Sequence, residues 1–485
     1  MFDTVVVGAG AAGCVVARRL SEGSRSVLLL EAGPDLRADP PPQIHDGWGI
    51  TPRDFDWGYV SEPNSQGVVR NLWRSKLVGG TSFLTRFTPR GSPADYDEWA
   101  SLGNKGWGFD DVLPYFKRLE SDTDFGDQPW HGRSGPMPST RYLDLDFTEV
   151  CGTALQGLVS AGFPIVDDHN RPGAVGAGRM PMSSRDGIRV TTADAYLPAG
   201  YTAPNLRIRA DTQVADIVLK GTRASGVRLL DGSIVEAGSV VLCAGTYGSP
   251  PILMRSGIGP ADHLRRLGIP VRVDLPGVGA NLVDHPVLDM EWGYRGPVRE
   301  APILHCIATW RSAGRSSSEA PDLMLWLPDP EPTFDVGVVL LRPRSRGTVR
   351  LRSIDPADTP YVELPNLRDP LDVERLAEGY ERAMDVAHRP EVRRLCSEAP
   401  TPAAPAGDVQ ELVRANGRSL PHVVGTCAMG LRAEDGAVVD ASGKVHGTDG
   451  LSVIDASIMP DVPSGFTHFP TIMIAELLSE RMQLS

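Results

Sequence analysis

The 485-residue chain is poor in cysteine, lysine and aromatic residues, and each shortage excludes something. Its six cysteines (Cys14, Cys151, Cys243, Cys306, Cys396 and Cys427) are scattered, with no CxxC pair. That spacing excludes a disulfide scaffold and a zinc module, and fits a reducing compartment. No metal site is expected. No run of about 18 apolar residues occurs, so no membrane span is expected. Met1 leads straight into an apolar strand, without a basic leader or cleavage site, and the expected location is the cytoplasm. Lysine is almost absent beside arginine, 5 against 43, which reads as codon bias. A net charge of −13 argues against nucleic acid or an anionic membrane as the main partner. With 41% hydrophobic and 22% charged residues, disorder is not the dominant state. The length suits three domains or two large ones.

The opening stretch is the most informative. Thr4-Val5-Val6-Val7 is a short β-branched run, followed at once by Gly8-Ala9-Gly10-Ala11-Ala12-Gly13. Cys14 to Leu20 has helical apolar spacing, and Ser26 to Leu30 reads as a second buried strand ending in Glu31. Gly8 permits a tight turn, Gly10 lets a pyrophosphate approach the backbone, and Gly13 lets the helix pack against the strand. The helix N-terminus supplies free N–H groups and a positive dipole. Glu31, 23 residues after Gly8, stands where an acid bonds the adenosine ribose hydroxyls. The pattern predicts dinucleotide binding. It does not separate NAD from FAD, but the loop Ala32-Gly33-Pro34 in place of another βαβ unit favours a flavin enzyme with a split nucleotide domain.

Three further segments carry a family resemblance. Arg74-Ser75-Lys76-Leu77-Val78-Gly79-Gly80-Thr81-Ser82 continues through Arg90 to Trp99. Gly245-Thr246-Tyr247-Gly248-Ser249-Pro250 is followed by Gly277-Val278-Gly279-Ala280-Asn281-Leu282-Val283-Asp284-His285. His422 to Gly430 is followed by Val453-Ile454-Asp455-Ala456-Ser457 and by Pro463 to Thr471. Together, in this order and spacing, these resemble the glucose–methanol–choline (GMC) oxidoreductases, which are FAD enzymes. The resemblance runs from residue 2 to the C-terminus. It implies an α/β fold: a discontinuous Rossmann-like FAD domain (1–150, 186–285 and 416–485) and a substrate domain (151–185 and 286–415) with an antiparallel sheet backed by helices. It also implies cofactor contacts at Gly8, Gly10, Gly13, Glu31, Ala32, Gly79, Gly80, Ser82, Val214, Ala244, Gly245, Asp455, Ala456, Pro470 and Thr471. Leu206 to Ile208, Val214 to Leu219 and Val240 to Cys243 read as strands of the first domain.

His422 and His468 align with the family's catalytic pair. Alcohol oxidation removes a hydroxyl proton and a hydride. The hydride goes to the flavin, and the protein must supply a base near neutral pKa, which imidazole does. His422 is read as the base and His468 as a hydrogen-bonding partner of the substrate oxygen. His285 lies in a motif read as structural, and His131, His263 and His446 have weaker claims. The expected reaction takes an alcohol to an aldehyde or ketone. The electron acceptor stays open between dioxygen, a quinone and a redox carrier. A mycofactocin-type carrier as substrate, and lyase or photodecarboxylase chemistry, are the alternatives within the family. The oligomeric state is left open.

This chain departs from the family after the paired glycines. Thr85 and Arg86 replace the usual Asn and Gly, so flavin contacts there are uncertain, and Arg86 stands as a possible fixed cation near the active site. Leu84 occupies the region where some members attach FAD through a His, so FAD is expected to be non-covalent. Val336 to Leu341 and Thr348 to Leu351 read as strands of the antiparallel sheet, and Asp369 to Ala387 as a helix with Asp369 as N-cap and Pro370 at its first position. Trp310, Trp326 and Phe334 are candidates for an apolar pocket. Residues 118–141 read as a lid or arm, Ser312 to Glu319 as a polar loop, and Ala399 to Gly407 as a surface connection.

Overall fold

The computed structural model describes residues 1–45, 55–64, 67–144, 149–296, 304–328, 333–365, 367–396, 399–404 and 407–484. Residues 405 and 406 of the expected connection at Ala399 to Gly407 lie outside them.

The β-branched opening run forms β1 (Phe2–Val7), the helical run forms α1 (Ala11–Ser21), and the next apolar run forms β2 (Val27–Leu30). β1 is the middle of a seven-stranded sheet. On one side lie β2 and Leu206–Arg209; on the other lies the long strand β3 (Ile234–Leu242). All three pairings are parallel. Further out, Arg223–Leu229 and Val214–Lys220 run antiparallel, and Leu451–Val453 joins β3 in parallel. The core strands are buried along both faces, with α1 packed against β1 and β2, and so read as near-continuous apolar runs.

The register explains the site. Val7 pairs with both Leu30 and Leu242, and Leu242 pairs with Val453. The carboxyl ends of four strands, drawn from distant parts of the chain, therefore stand in one row. Gly8, Glu31, Cys243 and Ile454 follow them directly.

The second sheet has six antiparallel strands in the order Arg418–Ser419, Pro286–Gly293, Thr333–Leu340, Leu323–Pro328, His305–Trp310 and Gly176–Arg179. Its two faces follow the period-two alternation of strands. Leu323, Leu325, Val336 and Val338 face a core shared with α3 (Pro370–Ala387). Met324, Val339 and Ile307 face the opposite way, with Phe466 and Trp326. The Asp369 side chain accepts from the Leu371 N–H, capping α3, with Pro370 at its first turn.

Arg418–Ser419 pairs with Pro286–Val287 at the edge of the antiparallel sheet. Several expectations are corrected here. Thr348–Arg350 forms a separate ribbon with Tyr361–Glu363 rather than joining the six-stranded sheet. Trp310 and Phe334 pack in the core shared with α3, because their strand positions share parity with Ala308 and Val336; only Trp326 has the parity of the other face.

Residues 118–141 line no part of the cavity described below. They fold back as two short parallel strands, Glu120–Asp122 and Met137–Ser139, around a buried charge network. His131 Nδ1 lies 2.7 Å from Glu120, and its Nε2 lies 3.0 Å from Asp168. Arg141 bonds Asp122 and Asp168, each at 2.7 Å. Glu120, Asp122 and His131 are close enough to share a cation, but Arg141 and the neighbouring Arg90 already supply positive charge there.

Candidate active site

The site begins at the first turn. Gly8 has φ +95°, and a Cβ there would lie 2.7 Å from the Cys243 carbonyl oxygen, so only glycine fits. A Cβ on Gly13 would lie 1.8 Å from the Gly8 carbonyl, which is the close helix–strand packing that the motif requires. A Cβ on Gly10 would meet nothing within 4 Å, and α1 has no side-chain cap. The first amides of α1 thus open on free space, as a phosphate site needs. Gly80, at φ +52°, approaches Gly10 so closely that its Cβ would lie 2.6 Å from the Gly10 Cα.

Glu31 is buried and accepts from the Ala9 N–H at 2.8 Å and the Gly33 N–H at 3.0 Å. Burial pushes its pKa up to about 7, against the pull of these amides. Across the row of strand ends, Asp455 accepts from the Gly245 N–H at 2.9 Å and the Ser249 hydroxyl at 2.6 Å. It thereby ties the last nucleotide-sheet strand to α2 (Gly245–Arg255). Burial raises the Asp455 pKa.

A cavity of about 690 Å³ runs along this row. Of the residues expected to hold a cofactor, Gly8, Gly10, Glu31, Ala32, Gly80, Ser82, Val214, Ala244, Gly245, Asp455, Ala456 and Thr471 line it. Gly13, Gly79 and Pro470 do not. Gly13 acts through backbone packing, Gly79 has φ +106° with the Phe83 ring against it, and Pro470 is buried in the first turn of α4 (His468–Leu484).

His422 and His468 line the same cavity, 46 residues apart in sequence. The loop carrying His422 is held by Asp284, which accepts the His422 N–H at 2.8 Å and the Ser419 hydroxyl. Burial pushes Asp284 up to about 6. The His422 ring lies edge-on to Phe466 at 4.7 Å, and burial, with His285 and Arg74 nearby, holds its pKa well below the ordinary value. His468 opens α4, and its Nε2 is buried with no hydrogen-bond partner among the described residues. Burial, helped by Arg189, pushes His468 down to about 4. Both imidazoles are therefore neutral at pH 7.

Beside the pair stands an apolar wall. Phe87 lies 5.4 Å from Trp326 and 5.2 Å from Phe466, ring to ring. Thr85 lines the cavity, but the buried Arg86 does not; its guanidinium lies 6.0 Å from the Phe87 ring. Sequence reasoning missed Phe87, Phe466 and Arg74 as lining residues. Phe466 carried a signal, standing two positions before His468, whereas Phe87 follows the departure at Thr85 and Arg86 and matched no motif.

These residues fit a bound flavin dinucleotide. The open first turn of α1 and the two histidines line one continuous cavity, and the buried Nε2 of His468 has no partner among the described residues. The expected cofactor is FAD.

Residues 2–287 and 343–475 match the N-terminal and C-terminal GMC oxidoreductase family profiles. A 5-(hydroxymethyl)furfural oxidase from Methylovorus sp. is 34% identical, covering 99% of this chain and 98% of its own length. An oxygen-dependent choline dehydrogenase from Paraburkholderia phymatum is 33% identical over 99% of this chain and 93% of its own. The crystal structure of pyridoxine 4-oxidase from Mesorbium loti superposes with a TM-score of 0.92, 30% identity and full coverage of both chains. The chain belongs to the GMC oxidoreductase family and is an FAD-dependent enzyme.

Proposed function

We propose that this enzyme oxidises the CH–OH group of a small alcohol to an aldehyde or ketone, with His422 as base and His468 as partner of the substrate oxygen. The observation that carries the reading is that two neutral histidines, His468 buried and His422 half-buried, line the same cavity as the glycine-rich nucleotide cradle. Support comes from relatives whose names specify alcohols: hydroxymethylfurfural, choline and pyridoxine.

The Gly8–Gly13 turn and Glu31 hold the adenosine and pyrophosphate of FAD, and Asp455, Ala456 and Thr471 lie toward its flavin. Leu84, which offers no nucleophile, agrees with non-covalent binding. Bound FAD supplies the hydride acceptor. The protein's task is to hold the alcohol against the Phe87–Trp326–Phe466 wall, exclude water and take the hydroxyl proton. A neutral imidazole can accept that proton without first losing one. The Nε2 of His468, buried and without a partner among the described residues, would take the substrate oxygen as its hydrogen-bond partner. We also place the enzyme in the cytoplasm; its six free cysteines are all buried, as thiols that persist in a reducing compartment can be.

The test is anaerobic reduction of the bound flavin across a panel of aromatic, aliphatic, quaternary-ammonium and sugar alcohols, followed by air. Bleaching by one class names the substrate, and the speed of recovery in air separates oxidase from dehydrogenase. His422→Asn should keep its FAD and bleach about 10²- to 10⁴-fold more slowly. No bleaching by any alcohol, or an unimpaired His422→Asn, would sink the reading.

A further inference from the structure

His285 and His422 face each other through matching nitrogens. The two Nδ1 atoms lie 3.0 Å apart, and Nε2 of His285 lies 3.1 Å from the Pro463 carbonyl oxygen. A carbonyl only accepts, so Nε2 of His285 carries a proton. His285 is fully buried, and burial pushes its pKa down to about 3, so the ring is neutral and its Nδ1 holds a lone pair. A hydrogen bond between the two Nδ1 atoms then has one possible donor: the proton sits on Nδ1 of His422. In a neutral ring the remaining nitrogen, Nε2, is left unprotonated. No described residue bonds that Nε2, and His422 lines the cavity.

We infer that His285 is a positioning residue that fixes the tautomer of His422, with Nδ1 protonated and Nε2 presented to the cavity as the proton acceptor. The inference deepens the reading of His422 as base and rests on it for its catalytic meaning. The geometry is built to hold. Val283 and Val424 exchange backbone hydrogen bonds of 3.0 and 2.9 Å, the Leu420 N–H donates to the His285 carbonyl at 2.9 Å, and Asp284 accepts the His422 N–H. Residues 283–285 therefore clamp the backbone of residues 420–424, and the two rings meet at 80°. The cations facing the pair are Arg74, which acts on His422, and Arg342, which acts on His285; both disfavour an imidazolium. The neighbouring anion is Asp284, whose oxygens are taken by Ser419 and His422. The proton lost by the alcohol oxygen would arrive at His422 Nε2 while Nδ1 stays bonded to His285.

The test uses the FAD-loaded enzyme labelled with ¹⁵N-histidine, with the His422 signals assigned by their loss in His422→Asn. Long-range ¹H–¹⁵N correlation should show His422 as the Nδ1–H tautomer. His285→Phe keeps the ring volume but removes the acceptor. His285→Gln keeps a donor for Pro463 but puts a methylene near the Nδ1 position, and serves if the Phe variant does not fold. Either should shift the tautomer and slow flavin reduction by an alcohol at least about tenfold, with FAD content retained. His285→Asn, whose Oδ1 replaces the accepting Nδ1, should keep the tautomer and most of the rate. An Nε2–H tautomer in the unmodified enzyme, or an unchanged tautomer in the Phe or Gln variant, would overturn the inference. The expected tautomer together with no bleaching by any alcohol would refute alcohol oxidation and leave the assignment of His285 standing.

Discussion

Gly13 lies so close to Gly8 that a methyl group on residue 13 would sit 1.8 Å from the Gly8 carbonyl oxygen. Three residues earlier, at the N-cap of the same helix, the situation reverses, and a Cβ on Gly10 would find open space. The motif's glycines thus serve different ends. Gly13→Ala should destabilise the fold itself, by about 1–3 kcal/mol or more, because backbone must move. Gly10 has φ −76°, which alanine adopts without strain. Gly10→Ala should melt like the parent when both lack FAD, yet bind FAD poorly. Thermal melts with and without added FAD separate the two.

Asp455 bridges the last nucleotide-sheet strand to α2 by accepting from Gly245 and Ser249. Asp455→Ala leaves both donors unpaired in a buried place. Each orphaned donor costs about 1–3 kcal/mol, so the variant should unfold at clearly lower denaturant and lose FAD more readily. Denaturant titration followed by flavin fluorescence checks both effects.

The low pKa of His422 has a kinetic consequence. Its ordinary value is 6.5, and burial holds it well below that, so the base is already neutral at pH 6.5. The rate of flavin reduction should then be flat from about pH 6.5 upward and fall only on acidification. A rising limb centred above 6.5, in stopped-flow reduction at saturating alcohol, would contradict this placement.

His131 behaves in the opposite sense. Burial alone would push its pKa down, but its hydrogen bonds to Asp168 and Glu120 override that and raise it above 6.5. A folded-state pKa above the unfolded value contributes stability that is full below 6.5 and is lost as pH rises through the folded pKa. His131→Leu should cost about 3–5 kcal/mol at pH 6, since Glu120 and Asp168 lose a buried partner. The gap to the parent should narrow on the alkaline side. Urea midpoints of both proteins across pH 6 to 9 test it.

Much of this enzyme was legible in the chain. The strand–GxGxxG–helix–strand–acid opening became β1, α1, β2 and Glu31, because each residue's local propensity agrees with its place in the sheet. The cap and first turn of α3 were likewise readable at Asp369 and Pro370, since capping is a contact between neighbours in sequence. The antiparallel sheet was harder. Trp310, Trp326 and Phe334 look alike as isolated aromatics, and strand parity separates them only once register is known.

The sequence by itself determined the family, the cofactor and the candidate pair His422 and His468, because these depend on residue types at set spacings. Only the tertiary structure decided that Val7, Leu30, Leu242 and Val453 end level, so that four motifs meet along one crevice. It alone turned residues 118–141 inward, through ion pairs whose partners lie as far away as Asp168. And it alone set His285 against His422. A hydrogen bond across 137 residues leaves no trace in local pattern, because it exists only where the folded backbone brings two rings within 3.0 Å.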